Sequence, residues 1–262
     1  MKSLTNITHL IIDMDGVLYL GDKPMPYLVD FINFLRERSI QFTLATNNST
    51  RTPQEYCDKL AGMGVGVSPT EILVSGEATA RFLARDYPPG TRVHVFGMPS
   101  LKQAITDAGF ILADETVELV VASMDRNVTY EKLVRAAVLI RGGARFIATN
   151  LDPTYPSEKG LLPGTGAMIA ALETASEVKP TVIGKPEPIM YQLAMEQMNA
   201  HPETTAAIGD RVDTDILGGK RAGITTICVL SGASDRAEAE AIDADMIFDD
   251  IGQLLDVWMQ IK

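Results

Sequence analysis

Leu10-Ile11-Ile12-Asp13-Met14-Asp15-Gly16-Val17 carries an aliphatic run straight into two carboxylates one residue apart. The run His9–Met14 reads as a strand that is apolar on both faces, as strands of a parallel sheet are. Carboxylates at the end of a buried strand repel each other and are costly to desolvate unless a cation sits between them. An Asp-Gly turn at a strand exit would explain Asp15. It does not explain Asp13.

The pattern repeats outward along the chain. Ile40–Thr46, Thr181–Gly184, Thr205–Gly209 and Thr225–Leu230 read as further buried strands, separated by amphipathic stretches. Leu28, Phe31 and Leu35 share one helix face, as do Tyr56, Leu60 and Met63. Thr52-Pro53-Gln54-Glu55 has the form of a capping box with proline at the first helical position, and Gly64 stands where that helix should stop. This alternation predicts an α/β fold with a doubly wound parallel sheet. The middle third alternates too. Strands are expected at Arg92–Phe96, Glu118–Ser123 and Arg145–Thr149, and helices at Pro99–Ala108 and Thr129–Arg141. Pro88-Pro89-Gly90 and Val178-Lys179-Pro180 punctuate its edges, so the middle reads as an insertion into a discontinuous domain.

A chain of 262 residues has room for one or two domains and a substantial core. Acidic residues outnumber basic ones 34 to 23, a net charge of −11 that disfavours nucleic-acid and anionic-membrane partners. No apolar stretch is long enough to span a bilayer, and Leu10–Ile12 is too short for a signal-peptide core. The two cysteines, Cys57 and Cys228, lack metal-ligand spacing and read as buried thiols of a reducing compartment, so a cytoplasmic location is expected. His9, His94 and His201 have no ligand spacing and read as structural or exposed.

Three more strand ends carry polar residues. Thr46 and Asn47 close the second strand, where a hydroxyl and a following amide can hold a phosphate oxygen, although Thr-Asn-Asn is also ordinary loop sequence. Lys185 follows Val182-Ile183-Gly184 and precedes a proline, where its ammonium can meet an anion; a snorkelling surface lysine has the same local look. Asp210, Asp213 and Asp215 follow Ala207-Ile208-Gly209, and one acid would satisfy a helix dipole. In an open α/β sheet the carboxyl ends of the strands line one crevice. Asp13, Asp15 and Asp210 would converge there as hard oxygen ligands for Mg²⁺, with Lys185 and Thr46 completing a phosphoryl clamp and a carboxylate free to act as nucleophile.

In order and spacing, Asp13-x-Asp15-Gly, Thr46-Asn47, Lys185 and Gly209-Asp210…Asp215 resemble the four motifs of haloacid dehalogenase (HAD) superfamily phosphatases. Asp-Met-Asp-Gly-Val-Leu-Tyr, Ala-Thr-Asn-Asn-Ser, Ala-Thr-Asn150-Leu-Asp152 and Gly-Lys-Pro resemble its NagD / 4-nitrophenylphosphatase-like branch. The resemblance implies a catalytic core of residues 1–80 plus 180–262 and an α/β cap over 81–179. It implies Asp13 as the nucleophile that forms an aspartyl-phosphate, and Asp15 as general acid and then base. Mg²⁺ would be held by Asp13, Asp210 and the backbone carbonyl of Asp15, with Asp215 acting through water or orienting the site. Thr46, Asn47 and Lys185 would hold the phosphoryl oxygens, while Arg51 and Arg211 match no motif role. Cap surfaces of such proteins can dimerise, so a homodimer stays open.

The expected activity is therefore Mg²⁺-dependent hydrolysis of a small phosphorylated metabolite: a nucleotide, sugar phosphate, phosphoglycolate or aryl phosphate. A phosphotransferase or mutase would use the same residues. A receiver-like signalling domain also groups aspartates, threonine and lysine around Mg²⁺, but it needs neither Asp210 after the lysine nor a middle third. A dinucleotide-binding module would want Gly-x-Gly-x-x-Gly after the first strand, and a serine hydrolase Gly-x-Ser-x-Gly; neither is present. In the middle third, Asn150-Leu151-Asp152 and Pro163-Gly164-Thr165-Gly166 are candidates to face substrate, the latter equally readable as a turn into a helix.

Overall fold

The aliphatic run before Asp13 forms a strand because a parallel sheet buries both its faces: Leu10, Ile11 and Ile12 are almost fully excluded from solvent. The computed structural model describes residues 3–157 and 160–261. Its elements in chain order begin with β1 (His9–Ile12), the short pair β2 (Tyr19–Leu20) and β3 (Lys23–Pro24), α1 (Leu28–Glu37), β4 (Gln41–Thr46), α2 (Pro53–Gly62) and β5 (Ile72–Val74). Next come α3 (Ser75–Asp86), β6 (Arg92–Phe96), α4 (Pro99–Asp107), β7 (Ile111–Leu112), β8 (Leu119–Ala122), α5 (Tyr130–Arg141) and β9 (Arg145–Ala148). Then follow β10 (Thr154–Ser157), β11 (Gly160–Pro163), α6 (Thr165–Ser176), β12 (Thr181–Val182), α7 (Pro188–Met198) and β13 (Thr205–Gly209). A single π-helical turn (Val212–Ile216), α8 (Leu217–Arg221), β14 (Thr225–Val229), α9 (Arg236–Ala241), β15 (Met246–Phe248) and α10 (Ile251–Met259) complete the chain.

The chain divides into two units. The first comprises Met1–Thr46, Pro53–Leu73 and Lys185–Lys262. Its sheet runs β15-β14-β13-β1-β4-β5, and the pairings from β15 to β4 are parallel. From β1 the chain winds outward to β4 and β5 on one side, then returns to β13 on the other. The strand order thus reverses between β1 and β13, and ligands of open α/β sheets bind at the carboxyl ends of the strands at such a point. Phe31 and Leu35 of α1 are buried, and Phe34 packs its ring 5.8 Å from that of Trp258 on α10. Each such side chain contributes about 1.5–3 kcal/mol by leaving water.

The second unit comprises Asn47–Thr52 and Val74–Gly184. Its sheet is also parallel, in the order β12-β9-β8-β6-β7. Phe96, Val120, Ala122, Phe146 and Ala148 of the strands form a core with Ala136 and Ile140 of α5 and Ile169 and Leu172 of α6. Thr129 caps α5, its hydroxyl accepting from the Lys132 amide. β10 and β11 form an antiparallel hairpin.

One strand expectation needs correction. Thr181–Gly184 reads as a buried strand of the same sheet as Asp13, but only Thr181–Val182 is extended and it pairs with β9. Both residues are half-buried, because β12 is the edge strand of its sheet. The β2–β3 pair, β5, β7, β15 and the β10–β11 hairpin have no counterpart in the sequence reading; two- to four-residue strands are too short to show a period.

Candidate active site

Parallel pairing of β1 and β13 sets the site. Ile12 lies opposite Ile208, and the Asp13 amide donates to the Ile208 carbonyl at 2.8 Å. Asp13 and Asp210 thus emerge from neighbouring strands at the same end. On the other side Ile12 lies opposite Leu44, which places Ala45 and Thr46 at that end too. Thr46 is buried.

The π-helical turn after β13 brings in a third carboxylate. One extra residue per turn re-aims a side chain, which is why such turns recur at functional sites. Here it folds Asp215 back toward β13, where its Oδ2 accepts from the Arg211 amide at 3.2 Å. Carboxylate oxygens of Asp13, Asp210 and Asp215 lie within 4.8 Å of one another. Asp15 is exposed instead, so the meeting carboxylates are Asp13, Asp210 and Asp215 rather than Asp13, Asp15 and Asp210. Asp213 also points away and pairs with Arg211 at 2.9 Å.

Lys185 enters this cluster from the residue before a proline. Its Nζ donates to Asp13 Oδ1 at 2.5 Å, to Asp215 Oδ1 at 2.6 Å and to the Ala45 carbonyl at 3.1 Å. Burial alone would lower its basicity, but Asp13 and Asp215 outweigh it and hold the ammonium well above the usual lysine range. Burial pushes the Asp13 carboxyl up; Lys185 opposes this, while Asp215 and Asp210 add to it. Asp210 is pushed up to about 7 by burial and then by Asp215, against the donation it accepts from the Ala233 amide. Tyr191, raised by burial and by Asp215, stays a phenol and donates to the Asp215 carbonyl at 2.9 Å.

The loop after β14 wraps Asp210. The Ala233 amide donates to its Oδ2 at 2.7 Å and the Ser231 hydroxyl to the Gly16 carbonyl at 2.7 Å. Gly16 has φ +89°, and a Cβ there would collide with the Asp210 carboxylate. Asp210 Oδ1, however, is buried and accepts nothing, one of two such side-chain atoms among the described residues. Three carboxylates facing one ammonium, with one oxygen orphaned, fit a hard divalent cation. Sequence reasoning missed Ala45, Tyr191, Ser231 and Ala233: the first and last act through backbone atoms, and neither of the others carries a motif.

The remaining candidates lie in the second unit. Asn47 is buried; its carbonyl accepts from Ser75 Oγ at 2.5 Å and Asn150 Nδ2 at 2.7 Å. Its Nδ2 donates to Asp152 Oδ1 at 3.1 Å. Gly184 closes on the same group, where a Cβ would sit 2.5 Å from the Thr149 carbonyl and 2.6 Å from Asn47 Oδ1. Pro163-Gly164-Thr165-Gly166 is the turn into α6, with the Gly166 amide donating to the Asp152 carbonyl at 2.8 Å. His94 is buried and its Nδ1 lies 3.1 Å from Asp114 Oδ1.

Two family models match the chain, one of haloacid dehalogenase-like hydrolases over residues 10–111 and one described as HAD-hydrolase-like over residues 182–254. The acid sugar phosphatase of Staphylococcus saprophyticus is 37% identical over 255 residues, covering 96% of this chain and 98% of that one. The chain belongs to the haloacid dehalogenase-like hydrolases. Among solved structures, 4-nitrophenylphosphatase from Thermotoga maritima superposes with a TM-score of 0.92 at 36% identity, over 97% of this chain and 98% of that one. NagD from E. coli gives 0.89 at 33%, over 94% and 98%. Glycerol phosphate phosphatase from Mycobacterium tuberculosis in complex with magnesium gives 0.89 at 32%, over 97% and 78%. Within the family this hydrolase falls in the NagD-like branch (subfamily IIA), and it is a phosphatase.

Proposed function

We propose that the protein hydrolyses phosphomonoesters of small sugars or polyols, and aryl phosphates, through an aspartyl-phosphate on Asp13 with Mg²⁺ bound. The carrying observation is the buried cluster in which Lys185 bridges Asp13 and Asp215 while Asp210 Oδ1 lacks a partner. The substrate class follows the names of the relatives: an acid sugar phosphatase, a 4-nitrophenylphosphatase and a glycerol phosphate phosphatase. Asp13, Asp210 and the Asp15 carbonyl would hold Mg²⁺, with Asp215 supporting them. Bound there, the ion neutralises the carboxylates and offsets charge on the phosphoryl oxygens.

Asp13 Oδ attacks phosphorus as the ester P–O bond breaks, and Asp15 gives its proton to the departing alkoxide. Asp15, now a carboxylate, takes a proton from water; the water oxygen attacks phosphorus, the bond to Asp13 breaks and inorganic phosphate leaves. Lys185, Thr46 and Asn47 hold the phosphoryl oxygens throughout. Lys185 also opposes the upward push of burial on the Asp13 carboxyl, favouring the ionised form that a nucleophile needs. We further propose that the second unit, Asn47–Thr52 and Val74–Gly184 rather than 81–179 alone, is the cap that excludes water and selects the leaving group. A cytoplasmic location belongs to the same proposal: both cysteines are free and buried, and no described helix is long and apolar enough to cross a membrane.

Phosphate release from a panel of phosphorylated metabolites, with and without Mg²⁺, tests this reading. Sugar and polyol phosphates should lead the panel, and a chelator should abolish turnover. Chelator-resistant activity, or phosphate appearing only on an added sugar acceptor, would overturn it.

A further inference from the structure

A hairpin of two-residue strands does not hold itself together in water. β2 and β3 pair at Tyr19↔Pro24 and Leu20↔Lys23, and Leu20, Lys23 and Pro24 are exposed. Yet this hairpin adjoins Asp15. The Gly16 amide donates to the Tyr19 carbonyl at 2.8 Å, and Asp15 and Tyr19 form an isolated bridge. Movement of Tyr19 therefore moves the backbone that carries the Asp15 side chain.

Lys59 of α2 grips the hairpin. Its Nζ donates to the Gly21 carbonyl at 2.6 Å and lies 3.7 Å from the centre of the Tyr19 ring; the Asp22 carboxylate is 3.8 Å away. The lysine side chain is only 14% exposed and Tyr19 is 2% exposed. Lysines are rarely so covered unless paired, and a cation shielded from water is held more strongly by a ring face. We propose that Lys59 is a positioning residue for Asp15, fixing the hairpin so that the carboxyl stays within reach of the leaving oxygen. This rests on the reading of Asp15 as proton donor. A general acid works only at hydrogen-bond distance from its target, so a loosened hairpin weakens the step that needs the proton.

Lys59→Met keeps the apolar stem over Tyr19 and removes the charge and the donor. The measurement is kcat/KM for glycerol 3-phosphate and for 4-nitrophenyl phosphate at saturating Mg²⁺. This ratio ends at phosphoenzyme formation, so the later base role of Asp15 does not enter it. The alkyl ester has a basic leaving group and should lose about tenfold, while nitrophenolate leaves unaided and its ester should stay within about twofold. Amide hydrogen exchange, followed without Mg²⁺, should be faster in the variant at Gly16 and at Met25, whose amide donates to the Leu18 carbonyl at 2.9 Å beside the hairpin. Loss of stability alone would lower both substrates together. Equal loss on both, or unchanged exchange at Gly16, overturns the proposal. Asp15→Asn is the control: if it separates the two substrates and Lys59→Met does not, the Lys59 role fails alone. If Asp15→Asn does not separate them, the proton-donor reading fails and this inference with it.

Discussion

Lys185 Nζ sits 2.5 Å from Asp13 Oδ1, although the two residues are 172 positions apart in the chain. The same ammonium reaches Asp215 at 2.6 Å, so one cation pairs with two carboxylates. Removing one partner of a buried ion pair leaves uncompensated charge and costs about 3–5 kcal/mol. Lys185→Met should therefore lower the urea midpoint of the metal-free protein at neutral pH by an equivalent amount, and excess Mg²⁺ should recover part of it. An unchanged midpoint would mean the ammonium is not what stabilises the cluster.

Mg²⁺ should stabilise the folded protein. A ligand at a hundred times its Kd adds about 2.7 kcal/mol to stability, which differential scanning fluorimetry reads as a Tm rise of several degrees. Asp210→Asn should remove this rise without lowering the metal-free Tm, because it deletes one of three mutually repelling carboxylates. A full Mg²⁺ shift in the variant would take Asp210 out of the metal set.

Gly16 tests the packing around that set. Alanine there meets a left-handed φ, costing about 1–2 kcal/mol, and pushes its Cβ against the Asp210 carboxylate. Gly16→Ala should fold, need a higher Mg²⁺ concentration for half-maximal activity, and lose at least about tenfold in kcat/KM, equivalent to 1.4 kcal/mol in the barrier. Wild-type metal dependence would contradict the placement of Asp210 against this turn.

Much of this site was legible because parallel strands end where chemistry begins. Asp13 and Asp210 stand out as acids terminating runs such as Leu10-Ile11-Ile12 and Ala207-Ile208-Gly209, and strand register alone then makes them neighbours. Asp215 was harder to place. Its inward turn depends on a π-helical turn that no residue pattern announces, and an α-helical reading puts it beside Asp213 as a dipole-satisfying acid. Thr181–Gly184 misled because a short apolar run looks the same in either parallel sheet. The grip of Lys59 on the β2–β3 hairpin left no trace at all: it needs a turn and a helix brought together by the fold.

His94 carries a pH dependence separate from the metal cluster. Burial holds its imidazole below the usual value of 6.5, with Asp114 opposing. Its stabilising contribution is present above pH 6.5 and is lost as pH falls toward the lowered folded value, because the unfolded chain binds the proton more readily. Between pH 7 and 5 the Tm of the wild type should therefore fall more steeply than that of His94→Gln. Parallel slopes would show that His94 titrates alike in both states.

In the proposed mechanism Asp13 carries the phosphoryl group and Asp15 the proton. Rapid mixing of the Asp15→Asn protein with 4-nitrophenyl phosphate and Mg²⁺, then acid quench and mass analysis of the Asp13 peptide, tests it most directly. Asp13→Asn serves as the blank. Nitrophenolate needs no proton, so the expected result is a burst of nitrophenol, slow turnover, and a phosphoryl group trapped on Asp13. Asp13→Asn should show neither burst nor label. Equal loss of burst in both variants, with no phosphoryl group on Asp13, would contradict the assignment.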